Sequence, residues 1–402
     1  MYKPFATNDT NLLLRSKVWA QGTPGTNSKR PSAFIQGVYP AFLDRGHGCY
    51  VYDTSGNRYV DFVASLGPLI LGHNHPKVNE AILRQLRKGV LFSLPSPLEI
   101  EVAEKIVSMF PVEQVRILKT GNEATLAAIR IARAYTAQDP AHENGYFWSE
   151  GYHGHGDLWT ALTPPAIGVT DEFHVLRSSP DNINKGGIRI LEPIQTDASD
   201  HRRMVVSDLC AMNHSLIILD EIVTALRVPS FSVAKWWDLK PDMICLGKAL
   251  AYGLPLSVVA GKKEVMSCDE YFVSSTYSGE TLSLAACKAV LEEVYLLGMA
   301  DLWFYANRFQ DKFNELCRGI GVALEGYGTR AMLNVEYENT MLFMQEAVKA
   351  GLLFGKAFYY TFAHMEGKIE ESTFNLIADI VERIRTGQVK LEGEKAVQTF
   401  VR

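Results

Sequence analysis

Lys248 ends the apolar run Met243-Ile-Cys-Leu246, one residue after Gly247. An ammonium at the end of a buried strand is costly unless it is paired, neutralised or covalently engaged. Most such lysines snorkel to solvent. One that does not can condense with a carbonyl and carry protons as a general base. Asp220 ends the run Ser215-Leu-Ile-Ile-Leu219, about one strand–helix–strand unit earlier. Alone it could cap a helix or pair at a rim. At the same sheet edge as Lys248, it could hold a cationic ring nitrogen through a charge-assisted hydrogen bond. Lys119-Thr-Gly-Asn-Glu-Ala-Thr125 follows Val115-Arg-Ile-Leu118 and opens a helical stretch. Thr120, Gly121 and Asn122 would there cradle a phosphate, because first-turn amides are unpaired and the helix dipole favours an anion. Gly151-Tyr-His-Gly-His-Gly-Asp157 adds Tyr152, an aromatic face for a flat ring. The same segment spaces His153, His155 and Asp157 as metal ligands could be, and His73 with His75 offers a second pair. A metal site would leave Asp220 and Lys248 without a role.

These residues share a position: each follows an apolar run of strand length. Val115–Leu118, Gly187–Leu191, Ser215–Leu219, Met243–Leu246 and Leu256–Ala260 are such runs, alternating with helical segments. Successive β-branched and apolar residues are expected of parallel strands covered on both faces. In such sheets, ligands bind beyond the carboxyl ends of the strands. Upstream, Gly48–Asp53 and Asn57–Phe62 predict two strands joined at Thr54-Ser-Gly56. Pro76–Lys88 and Leu98–Met109 have helical spacing, as does a short patch near Asn11–Ala20. Beyond about 285 the pattern is mostly helical, with a strand predicted at Met332–Glu336 and a tail at Val397–Arg402. The expected organisation is an N-terminal segment at 1–50 packing with a small domain, a large α/β domain at 51–290, and a small α+β domain at 291–402.

With 402 residues, 47% hydrophobic and 21% charged, the chain is long and apolar enough for a large core. A net charge of -5 argues against a chain that coats nucleic acid or anionic membrane. The pairs Lys29/Arg30 and Arg87/Lys88 read as solvated surface. Six scattered cysteines without a Cys-x-x-Cys pair suggest reduced thiols. No leader or membrane-spanning run is evident, so a cytoplasmic location is expected.

Taken together, the motifs resemble those of the class III aminotransferases, and within them the glutamate-1-semialdehyde aminomutase group. The resemblance runs from about Gly48 to Val290 and rests on Gly67-Pro-Leu-Ile-Leu-Gly-His-Asn-His-Pro76, Thr120-Gly-Asn-Glu-Ala-Thr125, Tyr152-His-Gly-His155, Asp220-Glu-Ile-Val-Thr224, Leu246-Gly-Lys248 with Gly253-Leu-Pro255, and Ser275-Thr-Tyr-Ser-Gly279. It implies a fold-type-I architecture, with a mostly parallel seven-stranded sheet, and pyridoxal 5′-phosphate (PLP) held as a Schiff base on Lys248. By resemblance, Asp220 faces the pyridine nitrogen, Ile222 and Tyr152 cover the two ring faces, and Thr120, Gly121 and Asn122 bind the phosphate. Glu192 matches a glutamate near the cofactor. Thr276 matches a threonine that reaches the neighbouring subunit's phosphate, which implies a homodimer.

The substrate shell departs from the pattern. Ser32 stands where the aminomutases have arginine, with Arg30 two positions earlier, and Leu66 replaces a tryptophan. Near Lys356–Phe362 an acidic residue is missing, and the loop from Asp157 to Gly187 is short. An aminotransferase acting on an amine or amino acid other than glutamate-1-semialdehyde is therefore expected. PLP-dependent decarboxylation or aminomutation, a silent binding module and a metal hydrolase are the alternatives. Phe358, Tyr359, Tyr360 and Phe362 read as core, or as the wall of a pocket for a bulky amine.

Overall fold

The computed structural model describes residues 12–19, 25–137, 147–160, 175–177, 187–212, 215–267, 271–334 and 338–396, with backbone alone at 147–149 and 175–177. Cys268, residues 335–336 of the expected strand, both terminal segments and most of the 157–187 loop lie outside the described residues.

Three strands come first: β1 (Leu43–His47), β2 (Tyr50–Asp53) and β3 (Arg58–Asp61). Seven follow: β4 (Gln114–Leu118), β5 (Phe147–Glu150), β6 (Val175–Arg177), β7 (Gly187–Leu191), β8 (Ser215–Asp220), β9 (Met243–Leu246) and β10 (Ser257–Gly261). Four short ones close the series: β11 (Leu324–Tyr327), β12 (Arg330–Leu333), β13 (Leu352–Leu353) and β14 (Ala357–Phe358). The chain divides into two units. One is Pro76–Asp301; the other joins the chain up to His75 with the chain from Leu302 onward.

In Pro76–Asp301 a seven-stranded sheet runs in the order β4-β10-β9-β8-β7-β5-β6. Pairings from β9 through β6 are parallel, and every residue of β7, β9 and β10 is buried. That burial is why those runs are apolar on successive residues. The reading of Leu256–Ala260 as a parallel strand is corrected: β10 pairs antiparallel with both β9 and β4. Only a 3₁₀ turn, Lys248–Ala251, lies between β9 and β10. A parallel return needs a crossover of about a dozen residues or more, commonly helical. With β10 reversed, β4 points the same way as β9. The carboxyl ends of β4, β5, β7, β8 and β9 therefore share one edge. Strands β5 and β6 escape sequence reading, since Phe147–Glu150 has only two apolar residues and Val175–Arg177 is three residues long.

In the other unit, β2 and β3 form the expected hairpin. The Asp53 carboxylate accepts the amides of Ser55 (2.9 Å) and Asn57 (2.8 Å) and the Tyr59 hydroxyl (2.8 Å). Strand β13 extends this sheet in parallel beside β3, while β11-β12-β14 form a second sheet. The expected strand begins earlier, at Arg330. Phe358, Tyr359, Tyr360 and Phe362 are core, not pocket wall, with exposures of 0%, 4%, 0% and 1%. Phe62 stacks on Phe354 (4.7 Å), Phe358 (5.3 Å) and His364 (5.0 Å). Among the described residues no helix is long and apolar enough to cross a membrane.

Candidate active site

The site builds from the end of β4. Thr120 caps the helix Gly121–Thr136: its hydroxyl accepts the Glu123 amide (3.2 Å), while the Glu123 carboxylate accepts the amides of Thr120 (2.8 Å) and Lys119 (2.9 Å). This capping box leaves the Gly121 and Asn122 amides, first in the helix, to an acceptor from outside it. The Thr120 carbonyl is pinned by the Ser257 hydroxyl at 2.6 Å. A Cβ on Gly121 would stand 2.9 Å from Ile222 Cδ1, so the cradle and Ile222 touch. Asn122 turns its Oδ1 to the amides of His155 and Gly156, both at 3.0 Å. Gly154, at φ +125°, is needed there, because a Cβ would lie 2.3 Å from that oxygen.

At the end of β8, Asp220 is 3% exposed. Its Oδ1 accepts the Ile222 amide (3.0 Å), and its Oδ2 lies 2.7 Å from His153 Nδ1. His153 is equally buried, and its Nε2 has no hydrogen-bond partner among the described residues. Its carbonyl accepts the Thr125 hydroxyl (2.6 Å), which itself accepts from Trp159 Nε1 (3.1 Å), and Trp159 packs edge-on to the imidazole at 5.2 Å. His153, spaced in the sequence as a metal ligand could be, instead pairs with Asp220. Among the described residues no group of three His, Cys, Asp or Glu side chains converges. The neighbouring Glu221 is wholly buried, and burial pushes its carboxyl up, opposed by the amides of Ala234 and Val233 and the hydroxyls of Ser232 and Thr224. It anchors the backbone between Asp220 and Ile222.

Tyr152 follows β5 and is 42% exposed, and partial burial raises its phenol. Its amide donates to Glu192 Oε2 (3.2 Å), so Tyr152 and Glu192 meet at the ends of β5 and β7. Arg202 joins the same two strand ends through Glu150 Oε1 (2.6 Å) and the carbonyls of Glu192 and Pro193 (both 2.9 Å).

Lys248 is half-buried at the end of β9 and holds φ at 41°. That left-handed backbone is strained for a residue with a side chain, by about 1–2 kcal/mol. Among the described residues its ammonium makes no hydrogen bond or ion pair. Gly247 before it abuts Ile222, a Cβ there lying 3.3 Å from Ile222 Cγ2. Thr120, Gly121, Asn122, Tyr152, Glu192, Asp220, Ile222 and Lys248 thus stand at one sheet edge. Thr276 does not join them by any described contact; it is exposed in the turn after Ser275. This edge offers orphan amides for an anion, a buried carboxylate and an amine without a partner. That is the donor set a phosphorylated pyridine aldehyde requires.

Comparison with known proteins agrees. The model of the class-III aminotransferases matches residues 33–185 and 187–357. A glutamate-1-semialdehyde 2,1-aminomutase of Syntrophobacter fumaroxidans is 33% identical over 350 residues, covering 79% of this chain and 80% of that protein. Two solved structures share the fold. The PLP internal aldimine form of Sphingopyxis sp. MTA144 FumI protein has a TM-score of 0.83 at 18% identity, covering 97% of this chain and 99% of that one. An omega-transaminase from Sphaerobacter thermophilus has a TM-score of 0.80 at 21% identity, covering 94% and 98%.

Proposed function

The chain belongs to the class-III aminotransferase family and uses PLP, and from that premise we propose that it moves an amino group between small molecules through Lys248. The observation that carries this reading is the half-buried Lys248 ammonium, unpaired at the same sheet edge as the buried Asp220–His153 pair.

The geometry supports these roles. The amides of Gly121 and Asn122 and the hydroxyl of Thr120 bind the phosphate, with the helix dipole behind them. Asp220, oriented by His153 and the Ile222 amide, would accept a hydrogen bond from the pyridine nitrogen. The bound cofactor then supplies an electron sink for charge developing at the substrate carbon. Ile222 and Tyr152 would cover the two faces of the ring and shield them from water. Glu192 holds the Tyr152 backbone in place. Lys248 would anchor the cofactor through its amine, and the same amine, facing a bound substrate, would serve as the general base that moves the α-proton. Thr276, exposed and apart from the other eight, reaches the phosphate of a neighbouring subunit, so the enzyme works as a homodimer with shared sites. Reduced cysteines suit a cytoplasmic enzyme.

The substrate is an amine or amino acid other than glutamate-1-semialdehyde, because Ser32 stands where the aminomutase pattern has the carboxylate-binding arginine. The test is an absorbance titration of the purified holoenzyme with a panel of amines, followed by product analysis. An amine that bleaches the visible band and yields the amino form of the cofactor plus a carbonyl product supports the reading. Release of carbon dioxide without the amino form of the cofactor replaces it with decarboxylation. Turnover of glutamate-1-semialdehyde above every other amine refutes the substrate claim.

A further inference from the structure

Lys119 sits between β4 and the phosphate cradle, yet the cradle does not use its side chain. The side chain is nearly buried, at 9% exposure, and its ammonium pairs with Glu280 Oε2 at 3.0 Å. Glu280 is equally engaged. It caps the helix Thr281–Leu297, where Oε1 accepts the Leu282 amide (2.6 Å) and Oε2 accepts the Ser283 amide (3.2 Å) and hydroxyl (2.5 Å). Burial opposes its charge, but the Ser283 hydroxyl, Lys119 and the Leu282 amide hold the carboxyl below its ordinary range. Glu280 also closes the turn that carries Thr276: its amide donates to the Tyr277 carbonyl (3.0 Å), and the Ser278 amide to the Ser275 carbonyl (3.2 Å). One ion pair therefore ties the Thr120–Asn122 cradle to the Thr276 turn.

We propose that the Lys119–Glu280 pair is a positioning device that sets the Thr276 turn for the partner's phosphate, fastening the loop a subunit lends away to the cradle it keeps for itself. The inference rests on the homodimer reading above. An ion pair this shielded loses little to screening, and a side chain with both ends fixed cannot wander. Its loss frees the turn, and the effect falls on the other subunit's site.

Direction is what separates this from a merely structural ion pair, and mixed dimers of the full chain read direction. One subunit carries Lys248→Ala, so the visible band reports PLP at the intact Lys248 alone, whose phosphate receives Thr276 from the Lys248→Ala subunit. Placing Glu280→Gln in the Lys248→Ala subunit should weaken PLP at the intact site roughly tenfold, about what one charge-assisted hydrogen bond contributes. Placing it in the subunit with the intact lysine should change that affinity far less. Adding Lys119→Met beside Glu280→Gln removes the unpaired buried charge and should restore the melting temperature while leaving the affinity loss in place. Unchanged affinity in both arrangements, a loss confined to the intact subunit, or affinity recovering together with the melting temperature overturns the proposal. Thr276→Val in the Lys248→Ala subunit is the control. If it weakens the intact site and Glu280→Gln does not, only the ion-pair proposal fails. If it too has no effect, or sedimentation finds a monomer, the shared-site reading fails and the proposal with it.

Discussion

Asp220 shows how far a single residue can be read from type and position. Its place after five residues ending in Leu-Ile-Ile-Leu marks it as a carboxylate that burial would penalise without partners. What the sequence could not show is the partner, because His153 lies 67 positions away and its spacing with His155 resembles a metal motif. Asp220→Asn should weaken PLP by about 1.5–3 kcal/mol, ten- to hundredfold or so, through loss of the charged acceptor. His153→Phe leaves one Asp220 oxygen without its buried partner. Because both residues act through one hydrogen bond, their effects should fall short of additive in a double-mutant cycle read by PLP titration; strict additivity would show that His153 does not act through Asp220. Lys119 and Arg202 are examples of the illegible kind: each is a surface-type residue whose role comes from a distant acceptor.

At the scale of elements, the candidate phosphate cradle was legible as a helix start because its pattern is local. Thr120-x-x-Glu123 is a capping box, and Gly121 opens the helix. Its depth was not, since Ile222 arrives from another strand. Gly121→Ala should weaken PLP by about 1–3 kcal/mol, as its Cβ must displace Ile222 Cδ1. Ile222→Val deletes that atom and should recover part of the loss in the double variant. Equal affinity in Gly121→Ala and the parent would show that the contact does not matter. The short helix Phe362–Glu366 carries a pH dependence of its own. Burial lowers His364 from 6.5 to about 4, despite the opposing Asp61 charge and carbonyl, while Nδ1 accepts from Thr361 and Nε2 donates to the Asp61 carbonyl. Between those two values the unfolded chain takes up a proton that the folded chain refuses. Stability is thus complete above about pH 6.5 and falls as pH drops toward 4, by up to about 3 kcal/mol from this group. Urea midpoints at pH 7 and pH 4.5 should separate less in His364→Gln than in the parent.

Across the whole molecule, the alternation of apolar runs and helical segments was enough to expect an α/β sheet with its chemistry at the carboxyl ends. The sheet's reversed strand, β10, was not evident, because β7, β9 and β10 are all buried throughout and apolar burial does not record direction. The smallest strands, β13 and β14, are two residues long and leave no period to detect. If the strand ends of Pro76–Asp301 hold the cofactor, PLP should raise hydrogen-exchange protection there, at 120–124, 151–156, 220–223 and 246–252. At a hundredfold excess over Kd the stabilisation is about 2.7 kcal/mol. Protection gained elsewhere but not at these strand ends would misplace the site.

If Lys248 carries the cofactor, the bond between them can be trapped chemically. Borohydride reduction of the purified holoenzyme, followed by proteolysis and mass spectrometry, fixes PLP to whichever lysine holds it. A phosphopyridoxyl adduct is expected on the peptide containing Lys248, and its loss in Lys248→Ala. An adduct on another lysine as abundant as that on Lys248, or no adduct at all, would contradict it.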